Sequence, residues 1–494
     1  MCLLGLALLA APALAQTNKL PRTSDGKPDL QGIWQIRNRA AYDLDGEGVV
    51  EGNTIPYQPG AAALKAKNFA DRHTLDPASK CYMPGVPRIM YMNHAFQIFQ
   101  TPTHIAMAFE LSHIYRIIYT NGSKHPEGLD FWMGDSRGRW DGDTLVVDVT
   151  NHNDKTWFDL AGNFHSDTVH VVERYSLTDA DTLRYEVTIE DPKTFTRPWK
   201  ISMPIYRQKE LNRLPEYACQ AEAEEASGDF TRDPHTWYPA GKSEKTTTAA
   251  APMIRRATDG KPNLGGYYSP QAPGANYGLE EHKEVFGFPE GPGFIIDPPD
   301  KKLPMQDWAK AEQQDRLRPE RGYEDPTAHC FASGVPRSMY TSPFQIIQTP
   351  DYIGFFFERM AHRIIPLDGR PHVPDHVRLW HGDSVGHWEG KTLVVETTNF
   401  NGKSWLNEVG EIVSYAETVV ERFTPVDRNT IDYRATVTDP LVYTRPWTIA
   451  FLLKKQQQEL LEVACLEDNQ DLKHLKDVRD AAIKAKSSTS EHKN

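Results

Sequence analysis

The chain predicts an all-β protein built from two tandem, lipocalin-like antiparallel β-barrels, with a pair of β-sandwiches as the alternative. Two observations carry this. First, the segment Gly134-Asp135-Ser136-Arg137-Gly138-Arg139-Trp140-Asp141-Gly142-Asp143-Thr144-Leu145-Val146-Val147 returns from Gly382 to Val395 at an offset of 248, with ten of 14 positions identical. Self-similarity on this scale marks the duplication of one folding unit. Second, the core of each copy alternates apolar and polar residues with period two, as half-buried strands do.

The repeat extends outward. Thr23–Pro28 is echoed by Ala257–Pro262, Gly85-Val86-Pro87-Arg88 by Gly334-Val335-Pro336-Arg337, and Thr196-Arg197-Pro198-Trp199 by Thr444-Arg445-Pro446-Trp447. The second copy carries about 15 extra residues in the Pro- and Gly-rich stretch 269–304, which reads as loop. Residues 16–241 are expected to form the first barrel and 253–466 the second, joined by the polar linker 242–252 (KSEKTTTAAAP). Residues 467–494 read as a C-terminal surface helix and tail, with Leu472, Leu475 and Val478 at helical spacing.

Taken in order, eight strands are expected in the first copy, near 96–101, 104–111, 114–120, 131–140, 143–151, 168–177, 182–190 and 199–207. Leu145, Val147 and Val149 share one face of the fifth; Leu183, Tyr185, Val187 and Ile189 share one face of the seventh. Asn121-Gly122, Asp141-Gly142 and Thr178–Asp181 supply the turns. Consecutive strands with short turns and one apolar face close into an up-and-down barrel, with an interior able to take a ligand.

Residues 3–14 are an apolar run ending in Ala13-Leu14-Ala15, too short to span a bilayer and matching the core and cleavage site of a secretory signal peptide over 1–15. No basic stretch precedes it. The expected location is therefore the periplasm or the medium, without membrane insertion. Outside the signal the four cysteines fall two to a copy at matching positions, which predicts disulfides Cys81–Cys219 and Cys330–Cys465. Each would close a loop of about 135 residues, worth about 4–5 kcal/mol in the chain-entropy view. A net charge of −12 without a Lys/Arg cluster argues against nucleic acid as a partner.

The run 134–177 (GDSRGRWDGDTLVVDVTNHNDKTWFDLAGNFHSDTVHVVERYSL), followed by 190–207 (EDPKTFTRPWKISMPIYR), resembles a family of exported hypothetical proteins of soil bacteria. The resemblance covers most of both copies and implies no activity, so no functional residue is carried over from it. At the level of fold alone, the two-barrel architecture is similar to duplicated lipocalin-like carotenoid hydratases and related cyclases.

Candidate functional residues follow from residue type and repeat position. Eight of the 11 tryptophans form repeat pairs, with Trp132, Trp140, Trp157 and Trp199 in the first copy; they are either core or the walls of a ligand site. On the strand around His170, Val171, Glu173 and Tyr175 share a face, so Glu173 points inward with apolar neighbours. A buried carboxyl must be paired or protonated, and Arg197/Arg445 or Arg116/Arg363 are the expected partners. His165 and His170 occur only in the first copy, where Val413 and Thr418 replace them in the second; they are the expected proton partners of Glu173. His125/His372 is the only shared histidine pair, and the second copy has its own cluster of His372, His376, His381 and His387. Asp135 beside its glycine is a further acid or a turn cap. Neither HExxH nor another ligand set accompanies the histidines, so no metal is expected. No phosphate loop, dinucleotide fingerprint or haem motif occurs, so no cofactor is expected. The Gly-Asp-Ser block at Ser136 is not read as an esterase nucleophile, because such serines sit on a strand-to-helix turn.

The resulting expectation is a cofactor-independent exported enzyme acting on an apolar or carbohydrate-derived small molecule by general acid/base chemistry: elimination, hydration, isomerisation or cyclisation. Glu173, His165, His170, Arg197 and Asp135 would carry the chemistry; Trp132, Trp140, Trp157, Trp199, Tyr185 and His125 would contact the ligand. The site is expected in the first copy. A non-catalytic periplasmic binding protein and a Trp-rich surface-attachment module are the alternatives.

Overall fold

The computed structural model describes residues 20–228, 230, 260–284, 289–359 and 361–491. The signal-like run 1–15 and the linker 242–252 lie outside the described residues. Two barrel-like units make up the fold.

In the first unit β1 (Gly32–Ile36), β2 (Phe96–Gln100), β3 (His104–Phe109), β4 (Tyr115–Tyr119), β5 (Asp135–Asp141), β6 (Thr144–Thr150), β7 (His170–Asp179), β8 (Thr182–Glu190) and β9 (Trp199–Arg207) form a closed barrel in sequence order. β2 to β9 are the eight expected strands. β1 is a ninth, which the sequence reading missed because Gly-Ile-Trp-Gln-Ile offers only five residues of pattern. It completes the barrel by pairing with both β2 and β9. Nine strands in a closed ring cannot alternate direction all the way round. The one parallel pair falls at β4–β5, where Ile118 meets Ser136 and Tyr119 meets Arg137.

Helices α1 (Pro59–Ala70) and α2 (Arg72–Leu75) lie between β1 and β2, and α3 (Cys219–Ser227) follows β9. α1 has no apolar stripe to betray it: its only buried residue is Asn68, whose amide bonds Gly162 O at 3.4 Å.

The second unit contains β10 (Gly266–Gln271), a small ribbon of β11 (Glu281–His282) and β12 (Gly291–Pro292), β13 (Ile295–Asp297), α4 (Asp307–Arg316), α5 (Ser338–Thr341), β14 (Phe344–Gln348), β15 (Tyr352–Phe357), β16 (Ala361–Pro366), β17 (Asp383–Glu389), β18 (Thr392–Thr398), β19 (Thr418–Asp427), β20 (Thr430–Thr438), β21 (Trp447–Gln456) and α6 (Gln470–Glu491). The stretch 269–304, expected as loop, thus holds short strands. The main sheet runs β16-β15-β14-β10-β21-β20-β19-β18-β17, with β13 attached to β21. Its two end strands, β16 and β17, face each other without pairing, so this barrel has an open seam. Among the differences from the β4–β5 pair, Pro366 stands in place of Tyr119 and has no backbone N–H to offer across the seam.

Inward residues follow the predicted alternation. Glu173, Tyr175, Leu177, Tyr185, Val187 and Ile189 are all buried, and large side chains such as Trp34, Phe96 and Phe109 fill the first barrel. Its interior is a packed core, where a lipocalin-like calyx was expected. β2 and β3 are buried on both faces because their outer sides pack on the other barrel: Phe99, Ala106, Ala108 and Tyr115 meet Ile347 and Phe356. The Tyr115 hydroxyl donates to Phe357 O at 2.9 Å across this junction.

The disulfides form as expected, Cys81–Cys219 and Cys330–Cys465, with Cα separations of 5.6 and 5.7 Å. Between the last strand and its cysteine, each tail lies on the opposite barrel. After β9, Arg213 pairs with Asp383 at 2.7 Å and Glu216 accepts the Trp380 N–H at 3.0 Å. After β21, Glu459 pairs with Arg137 at 3.0 Å and Glu462 accepts the Trp132 and Met133 N–H groups at 2.7 and 3.0 Å. The halves are therefore clasped, each covering the other's seam.

Candidate functional site

Strand β7 turns Glu173 inward, as its neighbours predict, and the carboxylate meets Arg116 from β4. Arg116 Nη1 donates to Glu173 Oε1 at 3.0 Å, and Nη2 bonds Oε2. The Tyr175 and Tyr185 hydroxyls donate to the same carboxylate at 2.8 and 2.6 Å, and Arg116 Nε donates to Ser136 Oγ at 3.0 Å. Burial, followed by the nearby carboxylate, pushes both tyrosines well above their ordinary range. The second barrel repeats the arrangement: Arg363 bonds Glu421 and Ser384, and Tyr433 donates to Glu421 at 2.9 Å. Two equivalent, hydrogen-bonded buried ion pairs are what a duplicated scaffold would keep.

The remaining predicted residues do not gather around Glu173. Arg197 is exposed and donates to Pro198 O at 3.2 Å, because the turn into β9 points it to solvent. His170, one residue out of phase with Glu173, projects from the outer face and bonds Asp148 at 2.6 Å. His125 bridges Asp135 and Asp148 at 2.6 and 3.0 Å, and Arg137 completes the hold on Asp135. His165 is buried, with its ring nitrogens on Thr156 Oγ1 at 2.7 Å and Ser166 O at 2.9 Å; burial lowers its pKa. Its ring neighbour at 5.6 Å is His152, which the sequence reading overlooked. His152 is fully buried, neither ring nitrogen has a partner among the described residues, and burial holds it well below the ordinary imidazole range. Gly134, at φ 65°, makes room for that ring: a Cβ there would lie 2.7 Å from His152 Cε1. Trp132, Trp157 and Trp199 are core residues, while Trp140 is half-buried beneath Lys27. No exposed tryptophan face results from them, and Tyr185 belongs to the buried network.

A different set converges at the open seam of the second barrel. A cavity of about 450 Å³ lies there, lined by residues of both halves. His113 and Glu216 come from the first half; His362, Arg363, His381 and Asp383 come from the second. His113 Nε2 sits 2.9 Å from Glu216 Oε2, and its backbone carbonyl accepts from His362 Nδ1 at 2.8 Å. The His381 ring lies 5.3 Å from that of His113, is 4% exposed, and has no partner at either nitrogen among the described residues. Burial, reinforced by His113, pushes His362 down to about 3 and holds His381 well below its ordinary value, so both rings are neutral at physiological pH. Leu214, Pro215, Ile364 and Val377 supply apolar wall. A ligand-sized concavity with apolar walls and a few convergent polar groups is the form that small-molecule sites take.

Of the histidine cluster noted in the second copy, only His381 reaches this cleft. His372 bonds Asp383 at 2.8 Å from the side, His387 leans on Glu389, and His376 is exposed. The signal that could have found the site was divergence between the copies. Tyr115, Tyr119 and Met133 at the first seam become His362, Pro366 and His381 at the second. Among the described residues, no group of three or more His, Cys, Asp or Glu is arranged to hold a metal ion. No helix there is long and apolar enough to cross a membrane. No family model matches the chain, and no curated protein shows significant similarity to it.

Proposed function

We propose that this is an exported enzyme that binds a small molecule in the seam cleft and acts on it by cofactor-independent general acid/base chemistry. The observation that supports this best is the convergence of a carboxylate–imidazole pair and a partnerless neutral imidazole on one ligand-sized cavity. Glu216 holds the His113 ring in place through its Nε2 at 2.9 Å and leaves Nδ1 for a ligand, the carboxylate–imidazole pairing that general bases commonly use. His381, neutral and partnerless, has one nitrogen to donate and one to accept, and so orients a ligand without adding charge. Export is supported by the two disulfides together with the signal-like N-terminus.

The test is incubation of the purified protein with metabolite extracts, read by mass spectrometry for a compound that disappears and its product. His113→Gln and Glu216→Gln are expected to slow that conversion by about 10²-fold or more. Conversion that survives both substitutions rejects the assignment. The second reading is a non-catalytic binding protein, favoured by the neutrality of His362 and His381; a ligand recovered unchanged would select it.

A further inference from the structure

Behind the imidazole wall of the cleft lies a second cavity, of about 90 Å³, at the junction of the halves. His113 and His381 line both cavities, so they form the partition between them. Its lining is unusual for this chain. Acidic residues outnumber basic ones, 67 to 55, yet among the described residues no Asp or Glu lines the second cavity. Two guanidiniums do, those of Arg337 and Arg359. Arg337 is committed to Asp325 through two bonds of 2.8 Å. Arg359 is exposed at the rim; among the described residues it makes no ion pair within 4 Å, though the Glu408 carboxylate acts on both guanidiniums through space. Three side chains there have buried polar atoms without partners among the described residues: Ser112 Oγ, Ser338 Oγ and the His381 nitrogens. Ser338 and His381 are each 4% exposed. Buried donors left unpaired are costly unless something fills the site.

We infer that this cavity is an oxyanion subsite, which takes the carboxylate or phosphate group of the ligand whose body lies in the seam cleft. The hydroxyls of Ser112 and Ser338, a ring N–H of His381 and the Arg359 guanidinium are donors suited to an oxyanion, with no carboxylate in the lining to repel it. His381 would give its N–H to the anion through the partition while His113 faces the rest of the molecule. The substrate class is thus a small organic acid or phosphate ester. This inference rests on the seam cleft being the reacting site.

The test titrates acetate and, separately, inorganic phosphate into the full-length protein at constant ionic strength, followed by calorimetry. A group of four or five heavy atoms in such a site is expected to bind with a Kd of about 1 mM. The anion that saturates identifies which of the two chemistries the cavity takes. Arg359→Ala and Ser338→Ala, neither of which removes a contact of the barrel cores, are each expected to weaken binding about tenfold. Saturation by neither anion, or binding indifferent to both substitutions, overturns the subsite. His113→Gln separates the two proposals. If it abolishes conversion while no anion binds, the subsite fails and the acid/base reading stands. If anions bind and the variant still converts substrate, the subsite stands and the acid/base reading fails.

Discussion

Glu173→Gln is the sharpest probe of whether the buried ion pairs are scaffold or machinery. The substitution keeps the shape of the side chain and removes its charge, leaving Arg116 buried without a counterion. Breaking one partner of a buried pair costs about 3–5 kcal/mol. Glu421→Gln does the same to Arg363. The two sites differ in two contacts. Glu173 accepts from both Tyr175 and Tyr185, whereas Phe423 stands in place of Tyr175 and Tyr433 is the one tyrosine on Glu421. Arg363 also donates to Thr397 Oγ1 at 2.7 Å, where the first barrel has Val149. A hydrogen bond to a charged group contributes about 1.5–3 kcal/mol. Losing the charge at Glu173 weakens one more tyrosine bond than at Glu421, from about 1.5–3 to about 0.5–1.5 kcal/mol. Glu173→Gln should therefore destabilise by about 3–5 kcal/mol and exceed Glu421→Gln by about 1–2 kcal/mol, a difference that Tyr175→Phe should narrow. Replacing the whole network, as Arg116→Met with Glu173→Leu, Tyr175→Phe and Tyr185→Phe, should recover most of the loss, because both buried charges go and neither tyrosine hydroxyl is left without a partner. Urea unfolding followed by tryptophan fluorescence at pH 7 measures all of these. A Glu173→Gln protein as stable as the parent but inactive would refute the scaffold reading and restore Glu173 as the reacting group.

Three further outcomes are expected. Because the tails are exchanged and Phe99, Tyr115, Ile347 and Phe356 meet across the junction, calorimetry should show one cooperative transition. Residues 16–241 expressed alone should aggregate, and a soluble, monomeric, folded half would contradict this. Burial raises the Glu411 carboxyl from 4.5 to about 7. A raised carboxyl stabilises the fold fully below its unfolded pKa and loses that contribution as pH rises through its folded one. Glu411→Gln should therefore gain about 3 kcal/mol relative to the parent between pH 4.5 and pH 8, and a pH-independent difference would reject the shift. Non-reducing peptide mapping should recover only Cys81–Cys219 and Cys330–Cys465; each closes a long loop, so reduction should lower stability by about 4–5 kcal/mol per bond.

The sequence alone determined the duplication, the strand-rich class, eight of the nine strands of the first barrel, and both disulfides. These rest on local or repeated patterns: period-two alternation is visible along one strand, and matched cysteines are visible by counting. It also placed Glu173 on an inward face. It could not choose between Arg116 and Arg197 as that residue's partner, since partners across a barrel are set by strand register. β1 and α1 escaped because one is short and the other buries almost nothing. The open seam, the exchanged tails and the cleft were decided by tertiary structure. His113, Glu216 and His381 are brought together from three distant segments, and no periodicity within any one of them encodes that meeting. What the sequence did carry was the difference between its two copies. Pro366 in place of Tyr119 denies the second seam a backbone donor, and His381 in place of Met133 puts an imidazole where the cavity opens. Such a difference acquires meaning only when the strands that flank it are known to be neighbours in space.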